Sequence, residues 1–106
     1  MEIPCGVGGM RFYGNCSVGA YTYFNGSLRA NNAHFGRFCS IAAGAVIGAN
    51  SHPTDRLSTH PFTIGDRRKF KRNEIYQRLA RGDRPADNPV VIGNDVWIGT
   101  YAVVLP

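Results

Sequence analysis

Along two stretches of this chain an apolar residue returns at every sixth position. Aligned on that residue, the chain reads VGAYTY, FNGSLR and a five-residue ANNAH from Val18, then FGRFCS, IAAGAV and IGANSH from Phe35. After a gap it reads IGNDVW, IGTYAV and VLP from Ile92. The first position is always apolar, from Val18, Phe24 and Ala30 through Ile41 and Ile47 to Ile92, Ile98 and Val104, and is therefore assigned to the interior. The second position favours glycine, as in Gly19, Gly36, Gly48, Gly93 and Gly99, which suits a tight corner. The fifth is often small, as in Thr22, Cys39, Ala45, Ser51 and Ala102, and is also assigned inward; Leu28, His34 and Val96 fit less well.

A period of six matches neither the 3.6 of a helix nor the unbroken alternation of a long strand. A short strand plus a corner does match, and three such units close one coil of about 18 residues whose neighbours pair as parallel sheets. The predicted fold class is all-β: a parallel β-helix forming one domain over residues 1–106. Its coils run over about 18–52 and 90–106, with an inserted loop over about 53–89. The loop opens with HPTDRLSTHPF, turn-rich through Pro53 and Pro61, and NEIYQRLA within it has the composition of a short helix. A long loop inside a regular solenoid is a candidate for function. The repeat stops three residues into a hexad at Pro106, which predicts a truncated C-terminus: a longer protein, or an end covered by other chains.

Composition narrows the function classes. The hydrophobic share is 43% and the charged share 18%, as in ordinary folded proteins. No 18-residue apolar run exists and the N-terminus lacks the pattern of a signal peptide, so a cytoplasmic location without a membrane span is expected. Three cysteines, Cys5, Cys16 and Cys39, lack zinc or disulfide spacing and read as thiols. The net charge of +5 lies wholly in residues 66–84, which hold eight Lys/Arg and three Asp/Glu. That segment reads first as solvated surface, then as a contact for the phosphates of a cofactor; nucleic acid is least favoured, because Phe70 and Tyr76 are not interleaved as a stacking platform.

The strings FGRFCSIAAGAVIGANSHPTDRLSTHPF and VIGNDVWIGTYAVVLP resemble the hexapeptide-repeat acetyltransferases of the xenobiotic and polysaccharide O-acetyltransferase group. The likeness covers about residues 35–62 and 90–106. It implies left-handed winding, a homotrimer with active sites between neighbouring subunits, and acetyl-CoA as donor. It also implies that His52, at the end of the hexad before the loop, is the general base, a role for which imidazole has a suitable pKa.

Other candidates follow from position. His60, in STHPF, either lines the acceptor pocket or packs the loop. Asp55, three residues after His52, either orients the imidazole or caps the loop turn. Trp97 follows inward Val96 and so points outward, toward substrate or toward another subunit. His34 reads as structural, and Ser51 as a small inward residue with no base to activate it. Residues binding the CoA moiety are not assigned. No metal is expected: His52 and His60 are eight apart and His34 is distant, unlike the three-His zinc set of hexapeptide-repeat carbonic anhydrases. Two functions stay open on this reading: acetyl transfer from acetyl-CoA to a hydroxyl of a sugar, polysaccharide or antibiotic, and a non-catalytic trimer serving as a structural or binding protein.

Overall fold

The computed structural model describes all 106 residues, Met1–Pro106. Ten short strands are present: β1 (Met10–Tyr13), β2 (Ser17–Val18), β3 (Tyr23–Phe24), β4 (Leu28–Asn31), β5 (Ala33–Phe35), β6 (Ser40–Ile41), β7 (Val46–Ile47), β8 (Val90–Ile92), β9 (Trp97–Ile98) and β10 (Val103–Val104). They stack into three sheets of order β1-β4-β7-β10, β2-β5-β8 and β3-β6-β9, with every pair parallel. This is the expected all-β, left-handed parallel β-helix, one sheet per face. The chain forms two compact units: the coils, Met1–Asn50 with Asn88–Pro106, and an excursion, Ser51–Asp87.

The six-residue pattern dictates the interior of the coils. Positions one and five point in and position six points out, since neighbouring residues of a strand face opposite ways. Val18, Phe24, Ala30, Phe35, Ile41 and Ile47 are buried, as are the fifth-position Thr22, Leu28, Cys39 and Ala45. Phe24 lies edge-on to Phe12 and to Phe35, with centroids 6.2 and 5.2 Å away. Thr22 is the polar exception, and it is satisfied: its hydroxyl donates to Gly36 O at 2.7 Å and accepts from Cys39 N–H at 3.0 Å.

Four expectations are corrected. The coils begin well before Val18: Cys5, Val7, Met10, Phe12 and Cys16 pack against the core, and β1 pairs with β4 in the register Met10↔Leu28. Second, His34 is not inward. Ala33, fully buried, takes the inward place of the short hexad, and His34 faces out with its Nδ1 2.9 Å from Ser17 Oγ. Third, Ser51 is exposed rather than interior. The hexad IGANSH breaks after Asn50, and Val90 and Val91 complete it, pairing with Ala33 and His34. A branched apolar side chain wins the inward place over a hydroxyl, which removes Ser51 and His52 from the coil.

The fourth concerns glycine. At the second position Gly19 and Gly36 do not need a left-handed backbone; they need the absence of a Cβ. A Cβ on Gly19 would sit 2.6 Å from Gly36 C and O, and one on Gly36 would sit 2.5 Å from Gly93 O. Among non-glycine residues of the coils the left-handed conformation falls at position four, on Tyr21 (φ 63°), Phe38 (60°), Asp95 (54°) and Tyr101 (58°), and at the third residue of the short hexad, Asn32 (47°); of the second-position glycines only Gly48 (φ 70°) adopts it. Tyr21 and Phe38, one above the other, stack with centroids 4.9 Å apart.

Glu2 ties the N-terminal segment to two coils, accepting from Ala20 N–H at 2.8 Å and from Arg37 Nε at 2.8 Å. The hydrogen bond from Arg37, aided by that from Ala20 N–H, holds the Glu2 carboxyl down at about 2. No helix is long and apolar enough to cross a membrane.

Candidate functional site

The excursion unit carries His52, and its local sequence explains its shape. Pro61 opens a 3₁₀ turn over Pro61–Ile64, which Gly65 ends in a left-handed conformation (φ 68°). Asn73 caps the helix α1 (Glu74–Leu79), its side chain accepting from Tyr76 N–H at 2.8 Å. Arg56 staples the unit by donating from Nη1 to Thr63 O and from Nη2 to Asp83 O at 3.0 Å. A Cβ on Gly65 would meet Gly82 O at 2.5 Å, so the end of the 3₁₀ turn and the segment after α1 pack with no room for a side chain between them.

His52 is exposed, and its Nδ1 lies 2.7 Å from Thr59 O. A carbonyl only accepts, so Nδ1 carries the proton, and in the neutral ring Nε2 is left with a free lone pair. The ring is thus held by a backbone acceptor seven residues on, in the tautomer that presents a base to solvent. Asp55 has no bond to the imidazole. Its side chain is 84% exposed and its ion pair is a long one, 3.9 Å, to Arg56 Nε. The orienting group is Thr59, a residue the sequence does not single out because its carbonyl, not its side chain, does the holding.

His60 is used differently. Its Nδ1 accepts from Phe62 N–H at 3.2 Å, capping the 3₁₀ turn, and its ring packs 5.4 Å from Phe62 and 5.9 Å from Tyr76. Of the two sequence readings, these contacts are those of loop packing. Here Nδ1 is the acceptor, so the neutral ring carries its proton on Nε2, the reverse of His52.

Trp97 belongs to the coil unit. It projects from β9 with 82% of its surface exposed, in register with Ser40 and then Tyr23 on the outer face of that sheet. With the Tyr21–Phe38 stack beside that sheet, this is the most aromatic side of the coils.

A three-faced stack of hexapeptide coils, opened within one hexad so that its histidine leaves the coil, places the chain among the hexapeptide-repeat β-helix proteins. Its relatives by sequence are named acetyltransferases. It is 33% identical over 113 residues to a chloramphenicol acetyltransferase of Agrobacterium fabrum, covering 87% of this chain and 50% of that protein. It is 30% identical over 114 residues to a chloramphenicol acetyltransferase of Escherichia coli, with the same coverage. It is also 34% identical over 73 residues to a probable macrolide acetyltransferase of Lysinibacillus sphaericus, covering 67% of this chain and 38% of that protein. The chain spans about half the length of the chloramphenicol acetyltransferases it matches. No family model and no solved structure matches it.

Proposed function

We propose that this chain serves acetyl-CoA-dependent O-acetylation of a small alcohol, with an antibiotic as the acceptor class and His52 as general base. The observation that carries the reading is the hydrogen bond from His52 Nδ1–H to Thr59 O, which leaves Nε2 free to take a proton. The names of the relatives favour an antibiotic over a sugar or polysaccharide.

In this mechanism the acceptor oxygen attacks the thioester carbonyl while Nε2 removes its proton. The tetrahedral intermediate collapses with cleavage of the C–S bond, and the imidazolium returns the proton to the departing CoA sulfur. The products are the acetate ester and free CoA, with no covalent enzyme intermediate. The Thr59 carbonyl has a part in each step, since it favours the imidazolium that forms and keeps the ring from turning. Trp97 is proposed to contact the acceptor or the pantetheine arm, in a homotrimer whose sites lie between subunits. Asp55 and His60 support the loop around His52 rather than bind substrate.

The test is thiol release from acetyl-CoA with chloramphenicol and with a macrolide as acceptors. His52→Ala should lower turnover about 10²-fold or more, with acetyl-CoA affinity by calorimetry and the sedimentation coefficient unchanged. Full activity in His52→Ala would move the base elsewhere. A wild-type chain that neither binds acetyl-CoA nor transfers acetyl would leave the non-catalytic binding scaffold as the reading.

A further inference from the structure

We propose that the excursion unit contains a binding site for a small anion bearing clustered phosphate groups, independent of the acetyl-transfer reading. Arg67, Lys71, Arg72, Arg78 and Arg81 surround one cleft of about 440 Å³, with Glu74 as its single carboxylate. An adjoining cleft shares Arg67, Lys71 and Gln77 with it.

None of those five cations is in an ion pair, and Asp66, the acid that directly precedes Arg67 in sequence, is engaged elsewhere. Asp66 holds Arg68 through a two-pronged contact, Nε to Oδ1 at 2.9 Å and Nη2 to Oδ2 at 2.8 Å. Five like charges lining one concavity repel one another and focus a positive potential into it, an arrangement that an incoming polyanion relieves.

Part of the frame around the cleft is fixed. Arg67 Nε donates to Ala80 O at 3.3 Å, Gln77 Nε2 donates to Arg67 O at 3.0 Å, and Arg81 Nε donates to Arg78 O at 3.1 Å. These bonds use the Nε of Arg67 and of Arg81 and leave their terminal nitrogens free for phosphate oxygens, which guanidinium groups grip in pairs. The cleft has the volume of a small-molecule site. The nearby rings, Phe70 and Tyr76, lie edge-on to each other 5.0 Å apart rather than standing as separate platforms for bases, which argues against a nucleic-acid strand.

The experiment is calorimetric titration of the full chain with tripolyphosphate at low salt. Saturable one-site binding is expected, weakened tenfold or more in Lys71→Gln/Arg72→Gln, whose side chains make no bond in the fold. A charge-matched control, Arg11→Gln/Arg29→Gln in the coil unit, should bind within about twofold of wild type. Absence of saturable binding, or equal weakening by the control, would overturn the site in favour of diffuse charge attraction. Tighter binding of a single-stranded oligonucleotide than of tripolyphosphate, lost in the same double variant, would overturn it in favour of a nucleic-acid surface. Competition by CoA would identify the phosphates as those of the proposed donor, and a lack of competition would assign the cleft to a separate phosphate ligand.

Discussion

Gly36→Ala and Gly99→Ala are the same substitution at the same hexad position, and the structure expects them to have opposite effects. At Gly36 an added methyl would lie 2.5 Å from both Gly93 O and Asn94 Oδ1 and 2.6 Å from Gly93 C. Ordinary contact begins at 3.4 Å, so the neighbouring coils must part locally by roughly 0.9 Å. Overpacking of this kind costs about 1–3 kcal/mol. Parting also stretches the Gly36 N–H to Ile92 O bond (2.8 Å) and the Arg37 N–H to Asn94 Oδ1 bond (2.7 Å). Each is worth about 1 kcal/mol net, so a loss of about 2–4 kcal/mol is expected. At Gly99 nothing lies within 4 Å of an added Cβ, and its φ is not in the left-handed region. Alanine there restricts the unfolded chain and should stabilise by about 0.4–1 kcal/mol. Urea unfolding followed by circular dichroism reads both as shifts in midpoint at constant slope. If Gly36→Ala fell within about 0.5 kcal/mol of wild type, or both variants shifted the same way, close coil stacking would not be the reason for glycine at position two.

Two further outcomes are expected. Thr22→Val keeps the shape of a fully buried side chain but orphans Gly36 O and Cys39 N–H, and should cost about 1–3 kcal/mol in the same urea assay; a neutral result would mean that water replaces the hydroxyl. The second concerns pH. The folded Glu2 carboxyl lies at about 2 against an ordinary 4.5, so its contribution to stability is fully present above 4.5 and is lost as pH falls toward 2. The amide shift of Ala20, which donates to that carboxylate, should titrate near 2 and stop titrating there in Glu2→Gln; a midpoint near 4.5 would show the contact with Arg37 to be absent in solution.

The coils were legible because one position in six is apolar without exception between Val18 and Ile47 and again from Ile92. Their start was not, because the run VGGMR between Val7 and Phe12 is one residue short and breaks the period, although Cys5, Met10 and Cys16 continue the fifth-position pattern. Ser51 escapes the pattern for a different reason: counting along the chain cannot see Val90, far along the sequence, competing for the same place. At Gly19 and Gly36 the demand for glycine comes from the coil stacked upon them, a contact between residues far apart in sequence, and at Gly48 it comes from a left-handed backbone. In the candidate site, His52 stands out through its place at the break in the repeat. Thr59 carries no such mark, since any residue supplies a carbonyl.

The split hexad also bears on how such a chain diversifies. A residue inserted within a strand of a coil turns the side chains beside it onto the wrong face. One inserted between Ser51 and Asp87 turns none, because Val90 resumes the phase that Asn50 leaves. Closing a longer loop is inexpensive: doubling its length costs about 0.6 kcal/mol, less than one buried methylene contributes. The excursion is therefore the place where length and sequence can drift under selection for new ligands while the register of the scaffold stays unchanged.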